Sequence, residues 1–364
     1  MTLFDRYVGI DYSGAETPTS SLSGLRVYSA HRRDRPIEVM PPASETKRRY
    51  WTRRRVAEWL VELLYEGEAT IVGIDHGFSF PLRYFEKHGL PLDWPKFLDD
   101  FHAHWPTDGD HTYVDFVRDG RVGNAAARSG DPRWRRLTEL TAGGAKSVFQ
   151  FDVQGQVAKS THAGLPWLRY LRAQLGARVH FWPFDGWHVQ RGKSAVVEVY
   201  PSLWRHEWRA EDRNVHQHDA FAVAAWTRRA DRRKELGDCF VPALSSEEKE
   251  AARVEGWILG VAPGERRGSG VPKRMHNGAT EAAMATVTLK NVPEELVRML
   301  KERAKRNRRS LNQEAMARLE ASLTGARRGG GDTVEALRRL HKRLAGMPPL
   351  TDAFLKRAKD EGRT

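Results

Sequence analysis

Residues 284–323 read MATVTLKNVPEELVRMLKERAKRNRRSLNQEAMARLEASL: a short alternating strand, then two amphipathic helices joined by a basic turn. In the strand, Val287 and Leu289 point to one face, and Thr286, Thr288 and Lys290 to the other. A lone strand cannot satisfy its backbone groups, so it needs a partner. The simplest partner is the same strand of a second copy. Two such strands make a ribbon with a polar, basic outer face, sized for a DNA major groove. The segment therefore predicts a homodimer that binds DNA. Pro293 suits the first position of the first helix, with Glu294 and Glu295 at its positive end. Leu296, Leu300 and Ala304 mark its apolar stripe. Ser310 and Gln313 make a capping box for the second helix, whose stripe is Ala315, Leu319 and Leu323.

This pattern resembles the ribbon-helix-helix antitoxins of type II toxin–antitoxin operons, the VapB/FitA-like class. The resemblance implies that Thr286, Thr288 and Lys290 read operator bases. It also implies that the start of the second helix contacts phosphate, here through Ser310 with Arg308 and Arg309. A second break follows at Gly325 to Gly331. Beyond it Asp332 caps a short helix with Leu337, Leu340 and Leu344 on one side. An apolar stripe with nowhere to bury in its own domain implies a partner groove. In the antitoxin family that partner is a PIN-domain ribonuclease toxin, and a basic tail residue reaches its acidic site. Arg338, Arg339 and Arg343 are the candidates. The tail meeting the acidic site of the chain's own first part is the alternative.

The residues before this segment are of another kind. Every Trp and Tyr lies at or before Trp257, and the last 107 residues hold neither. From Met284 onward there are 19 Lys and Arg against 10 Asp and Glu; the first 283 residues hold 41 against 37. The basic field that attracts polyanions therefore belongs to the C-terminal part. The boundaries expected are 1–262 for a first domain, 263–283 for a Gly/Pro/polar linker, 284–324 for the ribbon unit and 325–364 for the tail. The single cysteine, Cys239, excludes disulfide frameworks and Cys-rich zinc sites. No apolar run approaches membrane-spanning length and no leader opens the chain, so a cytoplasmic protein without a membrane partner is expected.

In the first domain, strands are expected at 7–11, 21–29, 37–40, 70–75, 178–182 and 195–200. Helices are expected at 45–65, 155–175, 219–236 and 247–255, with an irregular insertion over 80–150. Asp11 and Asp75 each end a buried-type strand in near-identical contexts, VGIDYSG and VGIDHGF. Glu198 sits on the apolar strand VVEVYPS, and Asp219 near the start of HDAFAVAAW. An acid in such a run is costly to bury unless paired, hydrogen-bonded or metal-bound. Parallel neighbouring strands would bring Asp11 and Asp75 to one edge. Two Mg²⁺ or Mn²⁺ ions would neutralise the cluster and support phosphodiester cleavage. The bland alternative is strand-end acids and a helix cap, Asp219 being the obvious cap.

The motifs GIDYSGA, GIDHGFSFP, EVYPS, HDAFAVAAW and EGWILGV, in that order, resemble a predicted RNase H-like nuclease family, domain of unknown function 429, over residues 5–262. That resemblance implies an α/β RNase H-like fold with Asp11, Asp75, Glu198 and Asp219 as presumed metal ligands and catalytic groups. It implies no substrate, and Glu198 departs from the simplest arrangement of that fold. Weaker candidates are Lys159 as a phosphate contact, His102 to His111 as a metal loop, and His218 as a proton carrier. Trp51, Trp59, Trp182 and Trp187 fit either base stacking or core packing. The combined expectation is an antitoxin-like operator-binding protein that neutralises a PIN-domain toxin, fused to a metal-dependent nuclease domain. The rival is a nuclease that uses the ribbon unit only for DNA targeting and dimerisation.

Overall fold

The computed structural model describes residues 2–42, 50–151, 157–263, 294–306 and 314–315. The chain divides into two units, Met1–Lys273 and Arg274–Thr364. The division falls inside the expected linker.

The first unit is built on six strands: β1 (Arg6–Asp11), β2 (Arg26–His31), β3 (Ile37–Glu38), β4 (Thr70–Asp75), β5 (Val179–Phe181) and β6 (Ser194–Glu198). They form one sheet in the order β3-β2-β1-β4-β6-β5. β1, β2 and β3 pair antiparallel; β1 with β4, β4 with β6 and β5 with β6 pair parallel. The helices of this unit are α1 (Arg53–Tyr65), α2 (Leu82–His88), α3 (Trp94–His104), α4 (Val114–Arg118), α5 (Leu137–Thr141), α6 (Val157–Leu175), α7 (Val215–Arg232), α8 (Leu236–Cys239) and α9 (Ser246–Glu255).

Strand periodicity sorts the core. Val8, Ile10, Val72, Ile74 and Val196 pack with apolar residues of α1, α3 and α6. Tyr7, Ile71, Ala195 and Val197 belong to a second cluster with Val223 of α7, Leu236 of α8 and Ala252 of α9. Alternate residues of each strand thus serve opposite faces, and the sheet is covered on both. α7 sits unusually close. A Cβ built on Gly9 would lie 2.2 Å from the Ala220 carbonyl oxygen, and one on Gly73 2.7 Å from Val223. Gly9 and Gly73 are register partners across β1 and β4. Gly9 admits the backbone of the helix, and Gly73 admits the Val223 side chain.

Several expected boundaries move. α1 begins at Arg53 rather than residue 45, because the Thr52 side chain accepts from Arg55 N at 3.0 Å and caps it there. The expected irregular insertion over 80–150 instead carries α2 to α5 and a 3-10 turn, Ala125–Arg128. Those helices have 5 to 11 residues, too short for a 3.6 period to repeat visibly in the sequence. α7 begins at Val215, four residues before Asp219, and Asn214 caps it in a box with Gln217. Asp219 is therefore not the cap of its helix.

In the second unit, α10 (Glu294–Arg306) occupies the place expected for the first helix after the ribbon strand. Leu296 and Met299 are exposed on it, and Arg298 pairs with Glu295 at 2.7 Å. Thr286, Thr288, Lys290, Arg308, Arg309 and Ser310, and the tail residues Leu337, Arg338, Arg339, Leu340, Arg343 and Leu344, lie outside the described residues.

Candidate functional site

The parallel register of β1 and β4 sets Asp11 directly beside Asp75. Both therefore emerge at the C-terminal edge of the sheet, about 4.8 Å apart in backbone spacing. They share the sheet face that bears Gly9 and Gly73, the face α7 covers. α7 contributes Asp219 one turn into the helix. All three line a cleft of 710 Å³ that also takes in Glu198, His76, Lys146, Arg205 and His216. All four acids thus border one depression.

Their partners differ. The Asp11 carboxylate faces His216 Nδ1 at 2.7 Å. Burial pushes Asp11 up to about 6 despite the His216 hydrogen bond. That same bond raises His216. The Asp75 carboxylate has no hydrogen-bond or ion-pair partner among the described residues. Burial raises it well above the carboxylate range, with Asp11, Asp219 and Glu198 adding to the rise. Asp219 lies 3.3 Å from an Arg205 guanidinium nitrogen, yet burial still raises it.

Glu198 is placed otherwise. Its register partner on β4 is Ile74, not Asp75, so it starts one step back and on the opposite face of the sheet. There the wholly buried Arg136 grips it through two nitrogens, at 2.6 and 2.7 Å, and the Phe78 amide donates at 3.0 Å. Arg136 also donates to Glu139 at 2.8 Å and to the Glu255 carbonyl at 3.2 Å. Burial alone would lower the Arg136 pKa, but Glu198 and Glu139 hold it above its ordinary value. Glu198 is thus an ion-paired support of the cleft floor. Among the described residues, no group of three or more His, Cys, Asp or Glu side chains is arranged to hold a metal ion.

The weaker candidates find ordinary partners. Lys159 pairs with Asp115 at 2.6 Å, and His102 with Asp108 at 3.1 Å. The His218 ring faces the Arg205 carbonyl at 3.0 Å. Trp51 and Trp182 are buried, their rings 5.4 and 5.7 Å from those of Trp59 and Trp187. Sequence reasoning passed over His216 and Arg136. A signal existed for His216, three residues before Asp219 and so on the same side of the helix. For Arg136 the local signal was only Glu139, three positions on; its other acid, Glu198, lies 62 positions away.

No curated protein and no solved structure matches this chain. No helix among the described residues is long and apolar enough to cross a membrane. The resemblance of residues 5–262 to the predicted nuclease family is carried by its motifs alone. For the second unit the comparison is positive: residues 285–323 match the family model of the FitA-like antitoxin ribbon-helix-helix, so the chain carries a FitA-like ribbon-helix-helix antitoxin domain in that segment.

Proposed function

We propose that this chain is an antitoxin-type DNA-binding protein whose first unit is a metal-dependent phosphodiesterase. The antitoxin domain supports the DNA-binding half, and the exposed Leu296 and Met299 of α10 suit a second copy packing there. The finer steps follow the resemblance. Thr286, Thr288 and Lys290 read operator bases, Arg308, Arg309 and Ser310 hold phosphate, and the tail from residue 325 engages a PIN-domain toxin. The sheet order β3-β2-β1-β4, antiparallel and then parallel, supports the RNase H-like reading of the first unit.

One observation carries the enzymatic half: Asp11 and Asp75 stand in register at the sheet edge, crowded and short of countercharge. A divalent cation would relieve that crowding. Asp11 and Asp75 fit as its ligands, and Asp219 is the third group on hand once Arg205 yields. Glu198, saturated by Arg136, does not fit as a direct ligand. The cation would supply Lewis-acid polarisation of a phosphodiester. Arg205, at the cleft rim beside Asp219, is placed to bind a phosphate oxygen. His216 orients the Asp11 carboxylate through its 2.7 Å contact.

The test uses the full chain with Mn²⁺ and labelled single-stranded and duplex substrates. Asp11→Asn preserves shape and removes a charge, so cleavage should end while operator binding in a gel shift is unchanged. Equal cleavage by parent and Asp11→Asn would sink the enzymatic half. A Lys290→Ala chain that still selects the operator over random DNA would sink the assignment of Lys290 to base reading, where a loss of about 1 to 3 kcal/mol is expected.

A further inference from the structure

The C-terminal end of α7 carries Arg228, Arg229, Arg232 and Arg233, which with Trp208 and Ala225 line a second cavity, of 410 Å³. Their spacing puts them on neighbouring rows of one side of the helix. A helix C-terminus favours a cation or two through its dipole. Four guanidinium groups exceed that need, and like charges four residues apart repel.

Countercharge is scarce. Glu207 pairs with Arg229. Asp231 is buried and turned inward, accepting from the Leu3 and Phe4 amides and the Tyr7 hydroxyl. Arg228 donates to the Arg33 carbonyl at 2.7 Å, and its enclosed Nε has no partner among the described residues. Arg232 and Arg233 are exposed, and neither has an ion-pair partner among the described residues. Burial, with Arg232 beside it, lowers the Arg228 pKa, as a site short of anions should.

The cavity also has an aromatic wall: Arg229 lies 4.8 Å over the Trp208 ring. It is tied to the carboxylate cleft by a short segment. Arg205 lines the cleft, Trp208 lines the cavity, and three residues span at most about 10 Å. Guanidinium groups for phosphates, a ring for bases and a cleft of acids about 20 Å back along α7, from Arg232 to Asp219, are the parts of a strand-binding track several nucleotides long.

We propose that this cavity binds the phosphate backbone of a polynucleotide strand whose neighbouring segment enters the carboxylate cleft. The choice of a polynucleotide over an acidic peptide rests on the phosphodiesterase reading of that cleft. The site makes the first unit a binder of strands several nucleotides long rather than of mononucleotides. Arg232 and Arg233 each contribute a phosphate contact that carries no base preference.

The chain supplies its own probe. Every tryptophan lies at or before Trp257, so tryptophan emission reports on the first unit and is blind to the ribbon-helix-helix segment. Full-length protein is titrated in EDTA with poly(U) and, in parallel, with poly(dT), the two arms separating RNA from DNA. Emission should be quenched, with a midpoint that rises steeply with salt. The double variant Arg232→Glu/Arg233→Glu should raise that midpoint about tenfold and lower the salt slope by about two. Arg232→Lys/Arg233→Lys should stay near the parent. Lys96→Glu/Arg253→Glu, equal in charge change and on other helices, controls for net charge. No quenching, an unmoved midpoint in the arginine reversal, or an equal rise in the control overturns the proposal. Competition by poly-L-glutamate as strong as by poly(U) also overturns it, in favour of an acidic peptide partner. Cleavage is read separately with Mn²⁺. Quenching without cleavage upholds this site and sinks the phosphodiesterase reading, whereas cleavage with an unmoved midpoint does the reverse.

Discussion

Asp75 stands beside Asp11 in the parallel register of β4 and β1, two acids on adjacent strand ends with one histidine between them and neutrality. Burial raises both, Asp11 to about 6. An acid raised in the folded state adds stability that is fully present below the ordinary carboxylate pKa of about 4 and is lost as pH climbs through the folded value. The metal-free protein should therefore lose stability on this account between about pH 4 and 6 through Asp11, and further upward through Asp75. Asp75→Asn should raise the Tm of the EDTA-treated protein at pH 8 by about 2 to 8 °C, and should also reduce the further rise given by Mn²⁺. A variant less stable than the parent at pH 8 would show that Asp75 is structurally satisfied.

Arg136 and Glu198 should behave in the opposite way. The pair is buried and saturated, so removing one partner strands the other. Arg136→Met and Glu198→Gln should each cost about 3 to 5 kcal/mol in urea unfolding. The double variant should recover part of that loss. If Glu198→Gln leaves stability unchanged and abolishes cation binding, Glu198 is a ligand after all.

At Gly9 the backbone of α7 packs directly on the sheet. A methyl group there would meet the Ala220 carbonyl oxygen at 2.2 Å and the Ala224 nitrogen at 2.8 Å, both backbone atoms that no rotamer can move aside. Gly9→Ala should cost about 1 to 3 kcal/mol, or more, and lift the helix that carries Asp219. Its His216–Asp11 contact should loosen as well, which histidine NMR titration would register as a fall in the His216 pKa toward its ordinary value. An unaltered His216 titration would show that α7 is seated by other contacts.

His162 lies wholly buried among Phe80, Phe101, Trp105, Phe149 and Phe151. Burial pushes its pKa down to about 3. A histidine lowered in the folded state adds stability that is present above its ordinary pKa of about 6.5 and is lost as pH falls to the folded value. Acid should thus weaken the first unit between about pH 6.5 and 3 by up to a few kcal/mol. His162→Leu should flatten that dependence in denaturant titrations at pH 7 and pH 5, and a parallel fall in both proteins would place the acid sensitivity elsewhere.

Much of this site was legible in the sequence because a costly placement leaves a visible mark. Asp11 and Asp75 each close a run of residues suited only to a buried strand, and matching contexts implied matching positions. Glu198 carries the same mark, but a one-residue offset in register turns it to the other face, and register is set by tertiary pairing that no local pattern displays. Arg136 was passed over for a related reason: Glu139 is its near neighbour in sequence, but Glu198 reaches it from a distant strand only on folding. The short helices of residues 80–150 escaped notice because one to three turns barely establish a period. α7 was placed well in its middle but four residues late at both ends; at its start Asn214 and Gln217, polar and ordinary in a loop, supply the cap.

The two ends of the sheet are short: β3 has two residues and β5 three. So little unpaired backbone offers no template along which a second chain can zip. Such blunt margins disfavour association of copies through this sheet. Two molecules meeting at high concentration find no long edge to pair along among the described strands of the first unit.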